Sequence, residues 1–436
     1  MYYNQCWKIA DMEYKIRMAD AVLANMLEAM GAVLIEGPKW CGKTTTAMQH
    51  AKSTVKLDVA EGGNSVLHLA RTSPERLLRG SIPRLIDEWQ IVPALWDAVR
   101  YEVDKREEEG LFILTGSATP LEENMPHHSG TGRIGRLRMD PMSLFESGDS
   151  SGSVSIQELF RGNCEMDGES SMDIDKLAFL CSRGGWPRVC SGKMKASSAL
   201  IAAKEYVKSI EHSEINTPEG KTVNTHLMRI FLHSYARNVG SQCPVSEIKK
   251  DCIGSMNTEL GENTAYSYLK RLKDLFVVDE AGSWNPNLRS KTAIRTSPTR
   301  YFCDPSIAVA SLGASPDDLI DDMRTFGFIF ENLCMRDLRV YSRFLDGEVL
   351  HYRDGNNLEC DAVIHLPNGK YALIEIKIGG EQAIEHGAAT LKKLASLIDV
   401  GKMRAPSFLM VLTGLTKYPY RRDDGVFVVP VDCLKP

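Results

Sequence analysis

Residues 31–50, GAVLIEGPKWCGKTTTAMQH, hold the pattern that most restricts how this chain can fold. The apolar run Ala32 to Ile35 has the composition of a buried strand. It meets Gly37, four further residues, and then Gly42-Lys43-Thr44 at the head of a helix-forming stretch. This is G-x-x-x-x-G-K-[ST] in the strand–loop–helix setting that the chemistry needs. The glycines let the backbone wrap around phosphate oxygens, N–H groups inward and no Cβ in the way. The helix that follows points its positive end at the anion. Lys43 is expected to reach the β- and γ-phosphates, with Thr45 beside it. The Thr44 hydroxyl is expected on Mg²⁺, which makes ATP and Mg²⁺ the expected cofactors.

Two later runs read as partner strands. SIPRLIDEWQ ends in Asp87 and Glu88, and LFILTGSAT ends in small and hydroxyl residues. An acid at a strand end beside such a loop holds Mg²⁺, here Asp87, and a second acid, Glu88, positions the attacking water. Ser117 is the chosen γ-phosphate contact from LFILTGSAT. Arg133, Arg136 and Arg138 follow in GTGRIGRLR, and Arg133, between glycines, is the first choice for a charge-stabilising arginine. Strands alternating with helical segments such as 93–109 predict a parallel sheet covered on both faces.

The 436 residues are 43% hydrophobic and 25% charged, which excludes a mainly disordered chain, and the net charge of -5 excludes a basic, histone-like binder. No apolar run approaches the length of a membrane span, and the polar N-terminus is not a signal peptide. The 11 scattered cysteines form no CxxC pair, so reduced thiols and a cytoplasmic location are expected.

After residue 145 the composition turns rich in Ser, Gly and acid, which predicts a linker and helical lid over 146–222, broken by a turn at GGWP (184–187). Three helical patterns and two strand-like runs over 223–310 follow the order of a winged helix. The third helix carries Tyr266, Tyr268, Lys270, Arg271 and Lys273, a candidate duplex-facing set. His127 and His128 read as loop. Over 320–436, a helix from about Phe328 to Tyr341 precedes the strand runs EVLHYRD, CDAVIHL and YALIEIK.

LPNGK (366–370) predicts a three-residue hairpin with Gly369 in the left-handed region. That turn pairs Leu366 with Lys370, and counting back sets Asp361 opposite Glu375, with Lys377 on the Glu375 face. Opposed carboxylates about 5 Å apart destabilise a sheet unless a cation lies between them. A metal held by Asp361 and Glu375 would activate water at a phosphodiester, with Lys377 assisting and Glu331 as a further ligand. The alternative is that Lys377 neutralises the two acids.

GPKWCGKTT, IDEWQ, LTGS, GRIGRL…PMSLFE, GGWP and CDAVI…IEIK occur in one order that resembles prokaryotic AAA-type ATPases with a C-terminal domain of unknown function. The resemblance implies an α/β multidomain chain. It has a P-loop ATPase domain over 1–145, a winged-helix-like module, and a C-terminal domain similar to PD-(D/E)xK nucleases, with a restriction-endonuclease-like core. By the same resemblance Gly37 to Thr44 match the ATP loop, Asp87 and Glu88 the Walker B acids, and Asp361, Glu375 and Lys377 the nuclease-like core. Two places depart from the pattern: Ala118 and Thr119 stand where many relatives continue with amides, and no Pro-Asp dipeptide precedes E-x-K. The resulting expectation is an ATPase whose nucleotide state controls a DNA-directed nuclease-like domain. The rivals are a nucleotide-dependent switch or scaffold that binds a protein partner and cuts nothing, and a transcription regulator acting through the winged helix. Assembly into an oligomer is compatible with each.

Overall fold

A computed structural model describes residues 14–57, 63–116, 130–163, 165–212, 224–254, 261–286 and 297–436. Ser117, Ala118, Thr119, His127 and His128 lie outside the described residues.

The first unit is a five-stranded sheet: β1 (Ala32–Glu36), β2 (Ser53–Lys56), β3 (Arg84–Asp87), β4 (Phe112–Gly116) and β5 (Ile134–Arg138). The order is β2-β3-β4-β1-β5 and every pair is parallel, as the alternation of strands and helices predicts. Helices α1 (Met18–Ala29), α2 (Lys43–His50), α3 (Gly63–Thr72), α4 (Pro74–Leu77) and α5 (Ala94–Arg106) accompany it. Alternate residues of each strand enter separate cores: Ala32, Leu34, Ile86 and Leu114 on one face, Val33, Ile35, Leu85 and Ile113 on the other. Burial on both faces is why these strands read as continuous apolar runs.

The middle of the chain is helical: α6 (Leu144–Ser147), α7 (Ile156–Arg161), α8 (Ile174–Arg183), α9 (Ala196–Glu211), α10 (Thr225–Arg237), α11 (Val245–Gly254) and α12 (Glu262–Asp274). Short antiparallel bridges, Val278 to Phe302 and Ala281 to Thr299, then precede α13 (Pro305–Leu312) and α14 (Pro316–Asp321). The linker reading of 146–155 is corrected. Glu146 is buried, Ser150 Oγ donates to Leu434 O at 2.7 Å, and β6 (Val154–Ser155) pairs with β13 (Leu434–Lys435). Small polar residues serve here as side-chain bonders to the C-terminal backbone rather than as flexible spacers.

The last unit opens with α15 (Met323–Phe344), capped by the Asp322 carboxylate, and continues through β7 (Glu348–Arg353), β8 (Glu359–His365), β9 (Tyr371–Lys377), α16 (Glu381–Leu397), β10 (Leu409–Thr413), β11 (Tyr420–Arg421) and β12 (Phe427–Pro430). The mixed sheet has the order β11-β12-β10-β9-β8-β7. One apolar core runs without a break from Leu144 through the helical middle to Leu434. The segments read as separate lid, winged helix and C-terminal domain therefore share buried surface. No described helix is long and apolar enough to cross a membrane. The described cysteines are free.

Candidate functional site

The carboxyl ends of β1, β3 and β4 gather the first constellation, the edge where parallel sheets present their loops to ligands. Gly42 takes the N-cap of α2 with φ +103°, and a Cβ at Gly37 would run into the Met139 carbonyl. Both positions need glycine for the reason the motif implies. The Lys43 ammonium is buried and donates to the carbonyls of Gly37 and Pro38, each at 2.9 Å. Thr44 Oγ1 donates to Asp87 Oδ1 at 2.7 Å, so the residues assigned to Mg²⁺ stand together. Their hard oxygen donors fit that ion.

Thr115, at the end of β4, donates to the same Asp87 oxygen at 2.5 Å and accepts from Glu88 N at 3.3 Å. Thr115 is thus one hydroxyl of the LFILTGSAT strand that enters the site; Ser117 lies outside the described residues. Glu88 has φ +57°, and its carboxylate accepts from the Gln90 amide. A non-glycine residue in the left-handed region is sparsely populated and concentrates at functional sites.

Arg133 does not stand beside the phosphate loop of its own chain. It lies at the amino end of β5, and its guanidinium donates to Asp104 Oδ1 at 2.7 Å. In a parallel sheet that end is opposite the loop, which the flanking glycines could not reveal. Arg136 pairs with Glu36 at 3.2 Å. Arg138, at the carboxyl end of β5, stacks on the Phe276 ring at 4.3 Å.

The GGWP turn, read only as a chain reversal, packs on the phosphate loop. A Cβ at Gly42 would lie 3.3 Å from Pro187 Cγ, and Trp40 of the loop contacts Tyr206, whose other neighbour is Trp186. Arg188 follows directly and is exposed, and its guanidinium has no hydrogen bond or ion pair among the described residues. The signal that could have found it is the charge next to the turn.

The second constellation is in the last unit. The predicted hairpin forms: Leu366 N donates to Lys370 O at 2.9 Å, and Gly369 has φ +77°. The register from His365–Tyr371 to Ala362–Ile374 is the predicted one. Beyond it β8 carries a bulge opposite Leu350 and Tyr352 that the turn could not disclose. A bulge re-aims side chains, and Asp361 sits in it. Its Oδ2 accepts from Ile376 N at 2.7 Å and from Lys377 Nζ at 3.0 Å. Lys377 also reaches Glu375 Oε2 at 2.7 Å. The ammonium thus lies between the two carboxylates. Among the described residues no group of three or more His, Cys, Asp or Glu side chains is arranged to hold a metal. Lys377 thus stands between the two carboxylates to which the sequence assigned a metal, and its neutralising them is the alternative the sequence left open.

Burial, and then the Asp361 charge, push the Glu375 carboxyl up to about 8, against the pull of Lys377. Gly387 of α16 makes that burial possible, since a Cβ there would sit 3.3 Å from the Glu375 Cβ. Glu331 of α15 accepts from the Tyr301 hydroxyl at 2.5 Å, and burial followed by the Asp361 charge raises its pKa well above the usual range.

The third helix of the middle segment offers less basic surface than its sequence suggests. Arg271 and Tyr268 are buried, Lys273 pairs with Glu280 at 2.6 Å, and Tyr266 is exposed.

Comparison with known proteins agrees with the first constellation. Residues 30–147 match the family described as AAA domain, 174–318 match a domain of unknown function, DUF8612, and 326–434 match another, DUF4143. The uncharacterized protein Rv2008c of Mycobacterium tuberculosis and its counterpart Mb2031c of Mycobacterium bovis are each 22% identical over 426 residues, 98% of this chain and 86% of theirs. Among solved structures, the Walker-type ATPase PABY2304 of Pyrococcus abyssi is 13% identical with a TM-score of 0.41, over 67% of this chain and 94% of that one. A RuvB mutant of Thermotoga maritima is 15% identical with a TM-score of 0.25, over 61% of this chain and 87% of that one. Residues 30–147 thus match the AAA domain family and carry the P-loop on their parallel sheet.

Proposed function

We propose that this protein binds and hydrolyses ATP at the first constellation, and that its nucleotide state controls a DNA-directed, nuclease-like domain carrying the second. One observation carries the link. Helix α15 places Glu331 beside the Asp361–Glu375–Lys377 cluster, and two turns on its Asp337 accepts from Leu144 N at 3.0 Å, at the end of the ATPase domain. Arg343, six residues further along the helix, is ion-paired with Asp140 just past β5. A rigid helix that touches the second constellation at one end and the segment after β5 of the ATPase domain at the other is a physical route for coupling.

At the nucleotide, Lys43 exchanges the Gly37 and Pro38 carbonyls for phosphate oxygens. Glu88 orients the attacking water, and Gly42 and the first turn of α2 supply N–H donors. Mg²⁺ at Thr44, with Asp87 behind it, would neutralise charge on the phosphates. Arg188 takes the place first given to Arg133 as the γ-phosphate arginine, because its turn already lies on the loop. At the second constellation, Asp361 and Glu375 would hold a divalent ion once phosphodiester oxygens draw Lys377 away, and the lysine would then offset developing charge. The winged-helix-like order of 223–310 fits a DNA-facing module.

The test is incubation of the protein with supercoiled plasmid and single-stranded DNA, with Mg²⁺ or Mn²⁺, with and without ATP. Cutting that needs metal and is lost in Glu375→Ala, with ATP dependence lost in Lys43→Ala, is the expected result. ATP hydrolysis without cutting under any condition leaves the switch or scaffold reading in its place. That reading rests on Lys377 already neutralising the two acids.

A further inference from the structure

We infer that Arg17 is a positioning residue for phosphate binding, one that holds the Cys41–Gly42 peptide so that the Gly42 N–H faces the nucleotide. The inference rests on the ATPase reading and adds to it a residue outside the loop motif and outside the matched AAA segment.

Arg17 precedes α1 and its side chain is only 4% exposed. Its Nη1 donates to Cys41 O at 2.8 Å, its Nη2 to Asp140 O at 2.9 Å, and its Nε to Glu146 Oε1 at 3.0 Å. The guanidinium thus ties the phosphate loop to the segment after β5. In a trans peptide the C=O and N–H point in opposite directions. Fixing the Cys41 carbonyl from behind therefore turns the Gly42 N–H to the concave side of the loop. Among the described residues nothing accepts from that N–H. The peptide would otherwise rotate readily, since glycine at φ +103° lacks the Cβ that limits its neighbours.

The anchor is built as a unit. Glu146 also accepts from Met18 N at 2.8 Å and Ser143 N at 2.9 Å, so its carboxylate has fixed partners on both sides. Nearby, Tyr14 OH bonds Thr46 Oγ1 at 2.9 Å and Asp20 Oδ2 at 2.7 Å, which fastens the same segment to α2. The guanidinium presents its donors in a rigid planar fork and here serves three acceptors at once, a geometry the single nitrogen of an ammonium does not reproduce. Donors fixed in advance cost no reorganisation when charge develops on the transferring phosphoryl group.

The experiment compares wild type, Arg17→Met, Arg17→Lys, Glu146→Gln and Lys43→Ala. Thermal unfolding checks the fold. ATPase kcat and KM, and affinity for MgADP with and without aluminium fluoride as a transition-state probe, give the readouts. Folded Arg17→Met should lose about 10- to 100-fold in kcat, less than removing a donor outright. Its preference for the aluminium fluoride complex over MgADP alone should shrink by a similar factor. Arg17→Lys should recover part of this, and Glu146→Gln should show a smaller loss in the same direction. If Arg17→Met does not fold, the Lys and Gln variants carry the test. Arg17→Lys and Glu146→Gln with wild-type kcat and probe preference, while Lys43→Ala is inactive, would overturn the inference alone. Wild type that neither binds nor hydrolyses ATP would overturn the ATPase reading and this inference with it.

Discussion

Arg336 of α15 is almost wholly buried, bonded to Asp304 at 3.0 Å and to Asp337 at 2.7 Å. Asp304 in turn accepts from Gly185 N at 2.8 Å, the second residue of the turn that packs on the phosphate loop. Breaking a buried ion pair from one side leaves an uncompensated charge and costs about 3–5 kcal/mol. Arg336→Met, which strands two carboxylates, is expected to lower stability by that amount in urea denaturation. Glu375 gives a second residue-scale expectation. Burial pushes its carboxyl up to about 8 in the folded chain, well above its ordinary value. Between the ordinary carboxylate range and pH 8 the folded state therefore holds a proton that the unfolded state has released. Stability contributed by that proton is full at low pH and is lost as pH rises toward 8. Melting temperature should fall across roughly pH 5 to 8 in wild type, and by less in Glu375→Gln; equal slopes would refute the assignment.

At the scale of elements, the β8–β9 hairpin shows how far a turn sequence reaches. Nothing lies within 4 Å of a Cβ built at Gly369, so Gly369→Ala meets only the left-handed backbone, at about 1–2 kcal/mol. Deleting Asn368 is a different perturbation. A two-residue turn shifts the register by one and moves Asp361 off the Lys377 contact. We expect that deletion to abolish any metal-dependent cutting and to lower the melting temperature further than Gly369→Ala does. LPNGK carries the pairing up to Ala362 because turn type and register are local. The bulge at Asp361 depends on β7, a third strand, and no window of β8 and β9 contains it.

For the whole molecule, the continuous core from Leu144 to Leu434 predicts that nucleotide binding is felt beyond the ATPase sheet. Hydrogen exchange with saturating MgADP and aluminium fluoride should slow in residues 37–42 and also in α15 and β9, and Lys43→Ala should remove both effects. Protection confined to the first 147 residues would argue against control of the C-terminal site. The strand–loop–helix, its lysine and threonine, the acid after RLI and the parallel sheet were all readable from residues 31–116, because each follows from local pattern and backbone chemistry. Four features were not: Arg133 at the far end of its strand, Arg188 beside the loop, the built-in segment 146–155, and the bulge that re-aims Asp361. Each depends on which end of a strand faces the site, or on partners more than a hundred residues away or on a third strand. Spacing along the chain carries no record of such proximity, and only packing of the two sheets around the shared helical core brings those groups together.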